Sequence, residues 1–144
     1  MKNKEEEQKE YFERSILLVI ITTVSALLID WFSIKMLLDA NPWGSATAIP
    51  GLMLTLQALW LIVNPYAVVY GNRFEIKQSL IYNKEFYYLD SKAIENKNST
   101  SLKLIYNDGD IETLPLLGMR ATHKQKFKDK LNEKIVESLE KRDF

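Results

Sequence analysis

The sequence predicts a membrane-embedded α-helical hairpin followed by a small α+β domain in the cytoplasm. Three observations carry this. Charge is segregated: residues 15–70 hold only Asp30, Lys35 and Asp39, whereas residues 1–14 hold nine charged side chains and residues 71–144 hold twenty-six. Two long apolar segments occupy the charge-poor stretch. Beyond Tyr70 the apolar pattern changes from continuous to alternating, as it does when helices give way to strands. The chain divides on this basis into a lead-in over 1–14, a two-helix hairpin over 15–70 and a cytoplasmic domain over 71–144. With 19 basic and 19 acidic residues the charges balance overall. The absence of cysteine excludes disulfides, thiolate catalysis and sulfur-ligated zinc.

KNKEEEQKE, at the start, reads as a solvated and helical cytoplasmic lead-in. The first apolar segment runs from about Ser15 to Leu38 and the second from about Ala46 to Tyr70. Each meets the roughly 20 residues that a helix needs to cross about 30 Å of hydrocarbon. A cleaved secretory signal competes for the first segment, but Glu5, Glu6 and Glu7 spoil its basic flank and a second apolar segment follows. A water-soluble bundle competes for both, against the difficulty of covering so much apolar surface with the residues that remain. Lys2, Lys4, Lys9 and Arg14 precede the first helix, and Arg73, Lys77 and Lys84 follow the second. The connection DANPWGSAT has no Lys or Arg, so the positive-inside rule puts both termini in the cytoplasm of a multi-pass inner-membrane protein.

IDWFSIK, Ile29 to Lys35, places Asp30 and Lys35 near the end of the first helix. Tyr11 and Trp31 are aromatic candidates for the two membrane interfaces, and at about 1.5 Å per residue they lie one hydrocarbon thickness apart. That ruler puts Asp30 at the outer interface, as a boundary marker; the alternative is an intramembrane site. Thr22, Ser25 and Ala26 form one small-residue patch and Gly51, Thr55 and Ala58 another, suited to close helix packing. Gln57 falls at about the depth of Ser25 or Thr22, where an interhelical hydrogen bond or a contact to another subunit would satisfy it. Pro50 is tolerable near a helix start, and Asn64-Pro65 suggests a kink or an early end.

RFEIK, SLIY, EFYYL, SLKLIY and DIETL then read as antiparallel strands, punctuated by NK, KNSTS and NDGD. Asp108-Gly109 signals a hairpin, and Leu102, Leu104 and Tyr106 share one face of the strand before it. In the last segment Thr122 and Gln125 fit a capping box. Phe127, Leu131, Ile135 and Leu139 make an apolar stripe that should close the sheet.

Short strands followed by one amphipathic helix, with EFYYLDSKAIENKNSTSLKLIYNDGDIETLPL between, resemble the bacterial PH-like domains attached to a pair of N-terminal transmembrane helices. The resemblance covers about residues 71–140 and rests on the LDSKAI segment, the DG hairpin and the terminal helix. It implies a curved antiparallel sheet or partial barrel capped by a C-terminal helix. The domain is short for that fold. Phosphoinositide binding does not carry over, because the first hairpin offers only Arg73, Lys77 and Lys84.

Reactive groups are few. His123 is the only histidine and falls in the first turn of the last helix, where it reads as an ordinary surface residue. Asp108 and Asp110 are explained by turn chemistry rather than by calcium. No phosphate-binding glycine loop or nucleophile elbow occurs, so no enzyme, cofactor or metal is expected. Lys124, Lys126, Lys128, Lys130 and Lys134 are interspersed with Asp129, Glu133 and Glu137, which suits a solvated helix face better than nucleic acid.

The expected function is that of a membrane-anchored, non-enzymatic interaction module: an accessory or scaffolding subunit partnered by the lipid bilayer and by other membrane subunits or itself. Its working surface is an exposed strand edge or the groove between sheet and helix. The alternative is a ligand-gated membrane effector that oligomerises or disrupts the membrane on signal binding. Phe86, Tyr88 and Tyr106 are the candidate ligand or partner residues, together with Tyr87, although at strand spacing such rings also suit a core. Asp30 and Gln57 are the candidate intramembrane polar contacts.

Overall fold

The computed structural model describes residues 9–143, so the Met1 to Gln8 part of the expected lead-in lies outside the described residues. The described residues form two compact units, one of residues 16–64 with 79–82, the other of residues 9–15 with 65–78 and 83–143.

The first unit is a helical hairpin, α1 (Ile16–Leu38) and α2 (Trp43–Val63). Both helices are long and apolar enough to cross a membrane. Most of their large side chains, among them Leu27, Leu28, Trp31, Leu52 and Leu59, are exposed. Apart from Leu61, the buried positions are small: Ala26 and Ser33 on α1, and Gly44, Gly51 and Ala58 on α2. Gly44, Gly51 and Ala58 recur every seven residues, a seam that lets helix backbones approach closely. A β-carbon on Gly51 would meet Asp30 Oδ1 at 2.5 Å. α1 ends in a Schellman arrangement, with Asn41 N–H donating to Met36 O and Ala40 N–H to Leu37 O. Ala40 takes the left-handed conformation there (φ 55°) that glycine would adopt without strain. Pro50 lies inside α2, not at its start. Asn64 ends α2 by donating from both its backbone and its side chain to Trp60 O, ahead of Pro65.

The second helix is therefore shorter than Ala46 to Tyr70, because Ala67–Val69 is a strand. The lead-in differs too: Glu10–Phe12 is a strand, not a solvated helix. In chain order the strands are β1 (Glu10–Phe12), β2 (Ala67–Val69), β3 (Arg73–Lys77), β4 (Asn83–Tyr87), β5 (Ser91–Asn98), β6 (Ser101–Tyr106) and β7 (Ile111–Pro115). A 3₁₀ turn, Tyr88–Asp90, joins β4 to β5, and α3 spans Ala121–Arg142. All pairings are antiparallel, in a four-stranded sheet ordered β1-β2-β3-β4 and a three-stranded sheet ordered β5-β6-β7. The helical hairpin is thus an insertion between two paired strands, with Phe12 opposite Ala67. These two strands extend the sheet domain beyond residues 71–140.

SLIY is a turn rather than a strand, and the strand expected in EFYYL stops at Tyr87. β5 was hidden by Glu95, Asn96 and Lys97, which break the apolar alternation. It carries register shifts at both ends. Both sheets and α3 share one core. In register across β3 and β4, Phe74 stacks on Phe86 with ring centroids 4.8 Å apart. Phe127, Leu131 and Ile135 on α3 are buried against that core and Leu139 packs at its margin, as the stripe predicts. The capping box does not form: Arg120 is the N-cap residue and Gln125 donates to Asp129 instead. Gly109 (φ 94°) makes the tight turn between β6 and β7.

Candidate functional site

In the helical unit, Asp30 and Thr55 meet across the hairpin. Thr55 Oγ1 donates to Asp30 Oδ2 at 2.5 Å. One level on, Ser33 Oγ donates to Thr47 Oγ1 at 2.9 Å. The ruler that put Asp30 at an interface does not apply, because Tyr11 belongs to β1 and the helix begins at Ile16. Counted from Ile16, Asp30 is about 21 Å along the helix axis. Gln57 does not reach Ser25 or Thr22: its Oε1 accepts the N–H of Leu80 at 2.9 Å. Thr22 donates within its own helix, to Leu18 O.

In the sheet domain Phe86 and Tyr88 both stack on Phe74, with ring centroids 4.8 and 5.9 Å from it, whereas Tyr87 and Tyr106 lie away from that stack. Phe86 is buried in the core. Tyr88 has its ring in the core too, and its hydroxyl donates to Arg73 O at 2.9 Å. Burial in apolar surroundings pushes its phenol upward. Tyr87 is surface-exposed. Tyr106 lies at the seam where the two sheets approach, donating to Glu112 Oε2 at 2.6 Å, while Lys84 of β4 reaches the other oxygen of the same carboxylate. Burial raises the Tyr106 phenol, with Asp90 and Asp108 adding to the effect.

α3 and the 3₁₀ turn enclose a cleft of about 180 Å³. Tyr88 and Leu89 supply its apolar surface, and Lys134, Glu137, Ser138 and Lys141 supply its polar side. Local chemistry builds it: Ser138 Oγ donates to Tyr88 O, Arg142 donates to Ser91 O, and the 3₁₀ turn leaves Leu89 pointing outward and 59% exposed. Glu137 is held below the usual carboxylate range by hydrogen bonds from Lys141 and Lys134. With two lysines and one glutamate the cleft carries one net positive charge beside an apolar surface. A second, more polar groove of about 270 Å³ lies between α3 and the end of β5, bordered by Asn96, Asn98, Lys124 and Lys128. Leu89 opens the LDSKAI segment, which gives it no site role, and Ser138 belongs to no motif; only the apposition of the turn with α3 makes them a surface. Of the sequence candidates, the structure brings Tyr88 alone to this cleft.

His123 is more than a surface residue, since its Nδ1 accepts the N–H of Glu13 at 3.1 Å and its ring stands edge-on to Phe12. Several lysines of α3 are drawn into ion pairs, Lys126 with Glu10, Lys130 with Glu133 and Lys134 with Glu137. Among the described residues no three His, Asp or Glu side chains gather where they could hold a metal ion.

Arg14 and Tyr66 make a buried polar pair in the sheet domain. The Arg14 guanidinium donates to Lys77 O and lies 5.6 Å from the Tyr66 ring centroid, and Tyr66 donates to Pro115 O. Burial pushes Arg14 down to about 10 and Tyr66 up to about 12. Between about pH 10 and 12 the folded chain keeps a Tyr66 proton that the unfolded chain releases, so this tyrosine's contribution to stability falls with rising pH. Arg14, shifted the opposite way, works against that fall over the same range. Absorbance is therefore the cleaner readout. At pH 11, phenolate absorbance should show Tyr66 and Tyr88 still neutral, and denaturant should release both. Full ionisation without denaturant would contradict their burial.

No protein family, no curated protein and no solved structure matches the chain.

Proposed function

We propose that this protein is a membrane-anchored, non-enzymatic interaction module that serves as an accessory or scaffolding subunit of a larger membrane assembly. In this reading α1 and α2 cross the cytoplasmic membrane, the exposed hydrocarbon faces of both helices meet lipid, and both termini lie in the cytoplasm by the distribution of Lys and Arg. With 20 residues counted from Ile16, the hydrocarbon ends near Lys35 and Asp30 sits within it. Its carboxylate is matched there to Thr55, which makes it part of the hairpin's packing. Two antiparallel sheets around one core, with a C-terminal helix along it, support a PH-like reading of the domain.

The observation that carries the interaction reading is the cleft between the 3₁₀ turn and α3. Its outward Leu89 and the ammonium groups of Lys134 and Lys141 suit a peptide segment that offers an apolar side chain next to a carboxylate. Native mass spectrometry of the full chain, gently extracted from its own membrane, tests it. The expected result is a stoichiometric second protein that is lost from the Leu89→Asp variant while the variant remains folded. Leu89 is exposed, so the substitution should change stability by no more than about 0.5 kcal/mol. A homo-oligomer carrying a bound small molecule would instead establish the gated effector, and a partner retained by Leu89→Asp would remove the cleft from the argument.

A further inference from the structure

We propose that the turn Ser79–Tyr82 is a third membrane-contacting segment, which inserts among lipid acyl chains beside α2 and is anchored there by Gln57. The inference rests on the reading of α1 and α2 as membrane-spanning.

The turn reads Ser-Leu-Ile-Tyr and belongs to the helical unit, although the strands on either side of it belong to the other. Its side chains face outward: Leu80 is 39%, Ile81 87% and Tyr82 53% exposed. Solvating an isoleucine so completely forgoes about 1.5–3 kcal/mol of burial, a cost that disappears if the solvent is hydrocarbon.

Depth comes from α2. Gln57 precedes Val63, the last residue of the helix, by six positions, or about 9 Å along the axis. Helical side chains lean toward the N-terminus, so the Gln57 amide points further from that end. The Leu80 N–H it accepts is therefore well inside the layer that α2 spans, where an amide without a partner costs several kcal/mol. Each group solves the other's problem: the glutamine oxygen gains a donor and the Leu80 N–H an acceptor.

The rest of the turn fits the same solvent. Ser79 N–H donates to Tyr82 O, and Tyr82 N–H donates to Ser79 O and Ser79 Oγ. Backbone at membrane depth has to satisfy its polar groups internally or through neighbouring helices, and the N–H groups of Ser79, Leu80 and Tyr82 are satisfied in these two ways. Tyr82 supplies the amphipathic ring favoured at interfaces.

The chain contains no cysteine, so single thiols can be placed at will. Nitroxide labels at Ile81→Cys, Leu56→Cys and Leu117→Cys, each in the full chain reconstituted in phosphatidylcholine–phosphatidylglycerol vesicles, report collision with oxygen, which favours lipid, and with a nickel chelate, which favours water. The expected oxygen-to-nickel ratio at Ile81 matches that at Leu56 on α2 and exceeds that at Leu117 several-fold. Gln57→Leu should then raise nickel access at Ile81 several-fold and leave Leu56 unchanged. A water-like Ile81 beside a lipid-like Leu56 would overturn the insertion and keep the membrane helices. A water-like Leu56 would overturn the membrane reading itself. An Ile81 shielded from both reagents would mean a protein contact in place of lipid, and an Ile81 unmoved by Gln57→Leu would overturn the anchor.

Discussion

Phe12→Ala should destabilise the sheet domain by about 3–5 kcal/mol, a large part of the 5–15 kcal/mol that holds an ordinary domain together. Phe12 is 1% exposed and stands edge-on to Phe127 with ring centroids 5.0 Å apart, and its carbonyl accepts the N–H of Tyr66. Removing the ring leaves a cavity where β1, β2 and α3 meet. Trp31, Trp43 and Trp60 all lie on the two long helices, so tryptophan fluorescence is blind to the change. Hydrogen exchange at the β6 amides of Leu102 and Leu104 is the suitable measurement. Their protection should fall by roughly two to four orders of magnitude, at about 1.4 kcal/mol per tenfold, if they exchange by unfolding of the domain. Tyr11→Ala is the control. Tyr11 neighbours Phe12 on the same strand but points outward and is 60% exposed, so its loss should change stability by no more than about 0.5 kcal/mol. Equal effects at the two positions would mean that residues 10–12 are not a strand of this sheet.

Gly51→Ile should open the helical hairpin at its middle. A β-carbon at this position already meets Asp30 Oδ1 at 2.5 Å and Ile29 Cγ2 at 3.1 Å, before the rest of the side chain is added. Asp30 is the less able to yield because Thr55 holds its other oxygen. Overpacking of this kind costs about 1–3 kcal/mol, and losing the Thr55 bond adds about 0.6 kcal/mol on the scale of interhelical bonds in membranes. Ser33 and Thr47, in direct contact across the hairpin, provide the readout. In a Ser33→Cys, Thr47→Cys background the oxidised cross-link should form readily, and Gly51→Ile should reduce its initial rate several-fold. Met53→Ile, two residues away on an exposed position, should leave the rate as it was. An undiminished rate in Gly51→Ile would mean that the helices do not approach through this glycine.

Much of the hairpin was legible because its signals are local. Twenty apolar residues in a row need no partner to be recognised, and Asn64-Pro65 ends a helix through the steric demands of its own ring. The stripe of Phe127, Leu131 and Ile135 and the Gly109 turn were equally plain, since periodicity and φ preference act within a few residues. The candidate sites were not legible in the same way. Phe86 and Tyr88 alternate as a core strand and as a pocket strand would, and only the packing of β3 and α3 against them assigns both rings to the core. Leu89 became part of a surface because a 3₁₀ turn aims it outward, and no local pattern announces that turn.

By itself the sequence determined that two long apolar helices precede the strands, that a hairpin turns at Asp108-Gly109, and that an amphipathic helix follows the strands. Tertiary structure alone decided that Glu10–Phe12 and Ala67–Val69 are partners, with the entire helical hairpin between them. Three residues are too few to display a period of two, and the energy that makes them strands comes from pairing and burial against residues far along the chain. The same reason moved Gln57 from its expected interhelical partner to Leu80. A side chain's choice among several polar groups at similar depth is settled by which one the folded backbone delivers within about 3 Å.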